Sequence, residues 1–579
     1  MVFRKIFILF LFPLLILLIC QRFYSHLPPN IEGKLEFLDP EIANQILSRI
    51  DIFEPVTKKY LDDSKEAQEN YPANYKRPFF GLKNDPNYCQ NHRRFFTNNV
   101  QSWLSSENNN ILTESSINSL LRTLVIANIG TDLYPNISAR MPDVLREGFL
   151  YDIPLNATLF ITKNPMHAFR ELGKGFACLP QLYNHIPGHS SLSRKTSIAK
   201  SLRQYTKAFQ GKPGHCFNPQ NFMPKTYILS EEKDCSDFFT ILNSPEYQKL
   251  KRERGLVYIR KVGSGSHKAK GVQPVNEREE NSLREIYKNG EECGIEDTNY
   301  LIQEFIHSPL LVQGHKFDFR IYMLIASTNP LIVYYHDGFL RVSLHKYDPN
   351  SNNNDVLLTN TDLSEKIFKE ASQGKLFNQM NETELRAFQM WSLSKLQSYL
   401  LANNLIRGPD WLNNHLRIEF QKAMVHLVRM SQHTFLKSSG VFELFGVDFM
   451  LDADFNVWFI ECNIGPVLKG TTEEKERLLV KMLKDHFEVV LGLLKSRVKR
   501  ILVYVNRLTT IQMRGTEKEE DFGQIEKLQD YIKEFKEVNR NRFEKEFEPG
   551  SENGFVKIID ENYVRFEERY HNLIPSECL

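Results

Sequence analysis

The chain has 579 residues and a nearly balanced charge, 73 Lys and Arg against 71 Asp and Glu, for a net +2. That length exceeds one typical hydrophobic core and calls for two or three domains packed into one body. The balance singles out no polyanionic partner and no nucleic-acid partner is expected, while eight cysteines without a CxxC pair exclude a zinc module.

In chain order, Arg4 and Lys5 precede an unbroken apolar run, Ile6–Cys20, closed by Arg22. The pattern is that of a secretory signal or membrane anchor. Only Ser25 offers a small residue for cleavage, so residues 1–21 are expected to be an uncleaved single-pass anchor and the protein membrane-associated. The charge bias places the following body on the luminal side. Residues 22–84 read as a linker or stem. Residues 85–223 mix short helices with strand-like runs at Leu124–Ala127 and Thr158–Ile161, as a smaller N-terminal α/β domain would. Sequons stand at Asn136, Asn156 and Asn381. The cysteines give no disulfide framework, though isolated bridges remain open.

From Pro224 onward strands and helices interleave. Strands are expected at Thr226–Leu229, Leu256–Ile259, Tyr300–Phe305, Phe319–Ala326 and Leu331–Tyr335. One helix is expected over Ser236–Lys251. A second carries Leu385, Phe388, Trp391, Leu396 and Tyr399, and a third Ile418, Val425 and Val428. A strand pair, Phe445–Leu451 and Val457–Ile460, flanks the turn Asp452–Asn456, and a helix follows near Leu478–Leu494. Residues 497–579 are expected to be a charged helical extension, with Ile525, Leu528, Ile532 and Phe535 on one face. The whole reads as an α+β body.

Three groups of residues carry chemistry. In the strand pair, Asp448, Glu461 and Asn463 converge at one sheet end as hard oxygen ligands suited to Mg²⁺. The loop KVGSGSHKAKG after Lys261 combines turn-forming Gly263, Gly265 and Gly271 with Lys261, Lys268 and Lys270, as a phosphate-gripping loop does. In GHKFDFR, Lys316, Asp318 and Arg320 alternate along one strand face, and Arg341 adds a further cation.

Those stretches, in their order, resemble the tubulin–tyrosine ligase-like family of ATP-grasp amino-acid ligases. The matching segments are NHIPGHSSLSRK (Asn184–Lys195), PKTYIL, VYIRKVGSGSHKAKGV, QEFIHSPLLVQGHKFDFRIYML, the glycine-to-arginine turn Gly338–Arg341, LLTN (Leu357–Asn360) and FELFGVDFMLD…WFIECNIGP. The resemblance implies an ATP-grasp fold with mixed and antiparallel sheets flanked by helices, its central domain at 224–300 and its C-terminal, metal-binding domain at 301–496. It implies that Lys261 and Lys316 hold ATP phosphates and that Gln303, Glu304, Phe305 and Ile306 line the adenine site, with Gly271 and Asn360 beside the nucleotide. Asp318, Asp448, Glu461 and Asn463 would bind Mg²⁺, and Arg320 and Arg341 would be catalytic. The implied reaction joins an amino acid, glutamate by preference, to a protein carboxylate through an acylphosphate. Tubulin is the implied acceptor, which would require a cytosolic or ciliary body.

The chain departs from the family pattern at Val262, Ala269, Cys462 and Gly465. Two rival readings stand beside the ligase: a degenerate, non-catalytic module binding microtubules at a membrane, and a type II membrane glycosyltransferase with Asp452-Ala453-Asp454 as its metal site.

Overall fold

The computed structural model describes residues 182–515 and 549–561 apart from short internal stretches, together with Cys578 and five strands nearer the N-terminus. Two of those strands, β1 (Leu35–Glu36) and β2 (Ile111–Leu112), pair with each other. The others, β3 (Val125–Ile129), β4 (Arg146–Glu147) and β5 (Ala157–Thr162), join β6 (Leu182–Tyr183) in a parallel sheet of order β4-β3-β5-β6. The expected membrane anchor is corrected: among the described residues no helix is long and apolar enough to cross a membrane. The Ile6–Cys20 run lies outside the described residues, as do Asn136, Asn156 and the stripe Ile525–Phe535.

Helix α1 (Lys195–Ala208) leads to strand β7 (Thr226–Ile228), helices α2 (Glu232–Leu242) and α3 (Pro245–Arg254), and strands β8 (Tyr258–Val262) and β9 (Val272–Pro274). Helix α4 (Glu277–Ile286) and β10 (Tyr300–Glu304) complete this unit, an antiparallel sheet of order β7-β10-β8-β9. The single helix expected over Ser236–Lys251 is two. Ser244 caps the second by accepting from Tyr247 N, and Pro245 at its first position cannot extend the helix before it. Alternation in the sheet is strict. Tyr227, Tyr258 and Ile302 pack beneath the helices with Phe238, Phe239 and Tyr287, whereas Thr226, Lys261, Leu301 and Gln303 share the opposite face. A Cys235–Cys293 disulfide ties α2 to the segment before β10.

The larger sheet begins with β11 (Leu311–Val312) and the long hairpin β12 (His315–Thr328) and β13 (Leu331–Lys346). Then come α5 (Glu382–Gln389), β14 (Met390–Ser392), α6 (Leu393–Ala402), α7 (Arg417–Ser431), β15 (Glu443–Leu451), β16 (Val457–Ile464), α8 (Glu473–Gly515) and β17 (Val556–Asp560). The strand order is β14-β13-β12-β15-β16, with β11 on β12 and β17 on β13. Here two expectations change. The stripe Leu385–Tyr399 is broken by β14, where Trp391 pairs with Leu340 at the β13 edge and Ser392 caps the following helix. Within 497–579, Val556–Asp560 is a strand of the main sheet, and Cys578 is disulfide-bonded to Cys216.

The two faces of this sheet have different chemistry. Phe317, Phe319, Val447 and Phe449 turn to one side, into the core beneath α7. The Phe420 ring lies 5.0 Å from Phe319 and 4.8 Å from Phe449, centroid to centroid. Each such ring contributes about 1.5–3 kcal/mol by burial, so this face anchors the strands. The intervening positions turn the other way, and they carry the charges.

Candidate active site

Register brings those charges together. Asp318 pairs with Arg341 across β12–β13, Arg320 with Asp448 across β12–β15, and Asp448 with Glu461 across β15–β16. Because side chains alternate, partners in register share a face, and four strands place their functional residues in one row.

The central part is a lattice of arginines and carboxylates. Arg341 holds Asp318 with two bonds, 2.7 and 2.8 Å, and reaches Asp448 Oδ2 at 2.8 Å. Arg320 grips Asp448 from the other side at 2.5 and 3.0 Å. Thr359 donates to Asp318 Oδ2 at 2.5 Å. Burial pushes the Asp318 carboxyl up, against the pull of the Arg341 guanidinium. Two glycines make room for Arg320. A Cβ at Gly446 would lie 2.8 Å from Arg320 Cδ, and one at Gly338 would lie 1.7 Å from the Arg320 carbonyl oxygen. The expected Gly338–Arg341 turn is thus a strand segment, whose glycine permits close backbone approach.

Beside the lattice stand two buried lysines. Lys261 Nζ donates to Gln303 Oε1 at 2.6 Å, and Gln303 Nε2 donates onward to Thr226 Oγ1 at 2.9 Å, which aims the amide oxygen at the lysine. Lys316 Nζ donates to the Leu357 carbonyl at 2.9 Å and lies 4.5 Å from the Phe305 ring centroid. Among the described residues neither has a carboxylate within ion-pair distance. Burial, then repulsion by Lys195, pushes Lys261 down to about 8; burial pushes Lys316 down to about 7 despite the Asp318 charge. Next to them Phe305 packs with Leu256, Ile259 and Leu357, edged by Val272, Tyr347 and Leu358, an apolar patch suited to a planar base.

At the far end of the row, Glu461 receives Asn463 Nδ2 at 3.1 Å and the Lys195 ammonium at 3.0 Å. Burial works to raise its carboxyl, but Lys195, Asn463 and Lys261 together hold it at about 2. Lys195 and Lys261 also line a narrow cleft with Thr226, Gln303 and Phe459. Among the described residues no three acidic, histidine or cysteine side chains converge as a metal cage. The donor chemistry nonetheless suits Mg²⁺, which takes one or two carboxylates and completes its shell with phosphate oxygens and water. Glu461, Asn463 and the register partner Asp448 are the residues that could hold it.

The sequence-derived residues fall into three groups. Lys261, Gln303, Phe305, Lys316, Asp318, Arg320, Arg341, Asp448, Glu461 and Asn463 line the lattice and the cleft beside it. Gly271 accepts from Val262 N at 2.9 Å at the base of the glycine loop, and Ile306 is half-buried after β10. Glu304 alternates away from Gln303 and is exposed, so its side chain is not brought to the cleft. Asn360 and residues 264–270 of the loop lie outside the described residues. Sequence reading missed Lys195 and Thr359. Lys195 closes the quoted NHIPGHSSLSRK segment, but nothing local shows that the first residue of a helix meets Glu461 more than 260 positions away.

Asp452 does not form a DxD metal site. Its Oδ1 accepts from Asp454 N and Asn456 N, and its Oδ2 from Asn456 Nδ2 and Trp458 Nε1, which closes the turn between β15 and β16.

Comparison with known proteins fits this arrangement. The model of the tubulin-tyrosine ligase family matches residues 177–498. The chain belongs to the tubulin-tyrosine ligase family. Its relatives in that family include the inactive polyglycylase TTLL10 of Homo sapiens, 26% identical over 61% of this chain and 51% of the relative. The probable alpha-tubulin polyglutamylase Ttll1 of Tetrahymena thermophila is 27% identical over 54% of this chain and 72% of its own length. The tubulin monoglycylase TTLL3 of Homo sapiens is 28% identical over 42% of this chain and 29% of its own. The chain spans about half the length of the first family relatives it matches. The antiparallel sheets and flanking helices give this member a mixed α+β fold.

Proposed function

We propose that the protein is an ATP- and Mg²⁺-dependent ligase with an ATP-grasp fold that joins an amino acid to a protein carboxylate. One observation carries the reading: two buried lysines with no carboxylate partner among the described residues stand beside a row of arginines and carboxylates, supplying both halves of a nucleotide–metal site. Lys261 and Lys316 would take the phosphates as their missing counter-charges, and the Phe305 patch would hold the base. Mg²⁺ at Glu461, Asn463 and Asp448 would neutralise charge on the phosphate oxygens. Arg320, given room by the two glycines, and Arg341, held by Asp318 and Asp448, would steady the transferred phosphoryl group. The acceptor carboxylate attacks the γ-phosphorus, ADP departs, and an acylphosphate forms. The amino group of the incoming amino acid then attacks the acyl carbon, inorganic phosphate leaves, and the amine loses its proton to give the amide.

Glutamate is the amino acid this reading favours, because the site is rich in cations; glycine, after which the polyglycylase and monoglycylase relatives are named, is the competitor. Tubulin is the first acceptor to test, since relatives are named as tubulin-modifying proteins. A second acceptor reading draws on the Cys216–Cys578 and Cys235–Cys293 disulfides: such bridges persist in oxidising surroundings, and an acidic protein other than tubulin would meet the enzyme there. The non-catalytic module has one argument in its favour, the inactive human relative. The complete set Lys261, Lys316, Asp448, Glu461 and Asn463 argues for activity. The purified full chain, given ATP, Mg²⁺, tubulin and labelled glutamate or glycine, should incorporate label. Glu461→Gln should abolish incorporation while leaving thermal unfolding close to that of the parent. Unchanged incorporation in that variant would sink the metal assignment, and none in the parent with any acceptor would favour the non-catalytic module.

A further inference from the structure

The first turn of α8 brings a lysine to the lattice that the proposed chemistry leaves unused. Lys475 Nζ lies 5.0 Å from the Phe339 ring centroid. Phe339 is the register partner of Arg320 and stands two residues before Arg341 on the same strand, so its ring belongs to the face that carries the lattice. Lys475 is half-buried there, and its backbone is fixed by Thr472 Oγ1, which accepts from Lys475 N at 3.1 Å.

No carboxylate among the described residues lies within ion-pair distance of this ammonium, and four nearby acids are engaged elsewhere. Glu476 Oε2 accepts from Gly470 N at 3.0 Å. Glu382 pairs with Arg386 at 2.7 Å, and Asp318 and Asp448 are divided between Arg341 and Arg320. Burial first, then repulsion by Arg320, Arg341 and Arg386, pushes the Lys475 ammonium down to about 8. The lattice thus has three cations, Arg320, Arg341 and Lys475, against two carboxylates. An uncompensated, partly desolvated cation is stabilised when an anion binds beside it.

We propose that Lys475 binds a substrate carboxylate at the rim of the lattice and positions it beside Arg320. The inference deepens the ligase reading and rests on it for the reason a carboxylate should arrive there. The ammonium is a compact point charge on a flexible stem, suited to holding a carboxylate that must also be able to leave. Two sources share this chemistry, the free amino acid and an acidic acceptor segment.

The test is binding without turnover. The full chain is saturated with Mg²⁺ and a non-hydrolysable ATP analogue, then titrated separately with free glutamate and with a hexaglutamate peptide, for the parent, Lys475→Ala, Lys475→Gln and Lys475→Arg. The two neutralising variants should weaken one probe about tenfold, the size expected for a charge-assisted hydrogen bond. Lys475→Arg should retain most of the affinity, and the analogue's own affinity should stay within about twofold, because Lys261 and Lys316, not Lys475, take the phosphates in this reading. Loss of glutamate binding alone assigns the donor, and loss of peptide binding alone assigns the acceptor. Both probes binding equally to parent and neutralised variants, or neither binding the parent, overturns the proposal. Failure of the ligase reading is a separate result, seen as absent binding of the nucleotide analogue to the parent.

Discussion

The buried lysines and the arginine–carboxylate lattice lie side by side, yet they are built on opposite electrostatic plans. In the lattice both carboxylates are held: Asp318 and Asp448 between them accept five bonds from Arg320 and Arg341. Lys261 and Lys316 have only neutral acceptors, an amide oxygen and a carbonyl, and both are buried. The arginine–carboxylate bonds therefore stabilise the fold without a ligand. The lysines carry an uncompensated desolvation cost that an incoming polyanion removes. The paired and the unpaired charges should therefore respond differently to substitution.

The largest expected effect is on the lattice. Arg341→Met removes the shared partner of Asp318 and Asp448 and leaves buried carboxylates behind, which should cost about 3–5 kcal/mol of unfolding free energy. Chemical denaturation of the parent and variant checks this; equal midpoints and slopes would mean that the lattice does not stabilise the fold. The matching change on the lysine side should cost less. Lys261→Met removes a buried charge and leaves only the neutral Gln303 Oε1 without its donor, so the loss of unfolding free energy should be about 1–3 kcal/mol at most. Nucleotide binding, in contrast, should weaken by about 10- to 100-fold, the value of a charge-assisted bond to phosphate. Calorimetric titration measures the loss, and a variant that unfolds early while binding nucleotide normally would reverse the assignment.

Much of this arrangement was legible in the sequence because strands alternate. The plus, minus, plus pattern of Lys316, Asp318 and Arg320 is a statement about one face of a strand, and β12 carries it as such. The Asp452–Asn456 turn sets Phe449 opposite Phe459, and a bulge at Ile460 then brings Glu461 opposite Asp448. Where the sequence misled, a local pattern had two physical solutions. Phe388 and Trp391 stand three apart, as on a helix, but pairing with the β13 edge pulls Trp391 into a strand. The Ser236–Lys251 helix concealed a serine cap followed by proline. Lys195 and Lys475 were out of reach for another reason. Both come from the first turns of helices, and only tertiary packing shows which strand residue a helix end will meet. The Cys216–Cys578 bridge is of the same kind, joining positions 362 residues apart.

The claim that the lysines await phosphate is tested most directly by titrating Mg²⁺–ATP into the protein between pH 7 and pH 9, in buffers of different ionisation enthalpy. Lys261, held down to about 8 by burial in the free protein, is largely charged at pH 7 and largely neutral at pH 9. Phosphate favours the charged forms of Lys261 and of Lys316, the latter held down to about 7, so affinity should fall across this range as pH rises. Net proton uptake should accompany binding and be smaller in Lys261→Met. Binding that is independent of pH and takes up no protons, with parent and variant alike, would contradict the account.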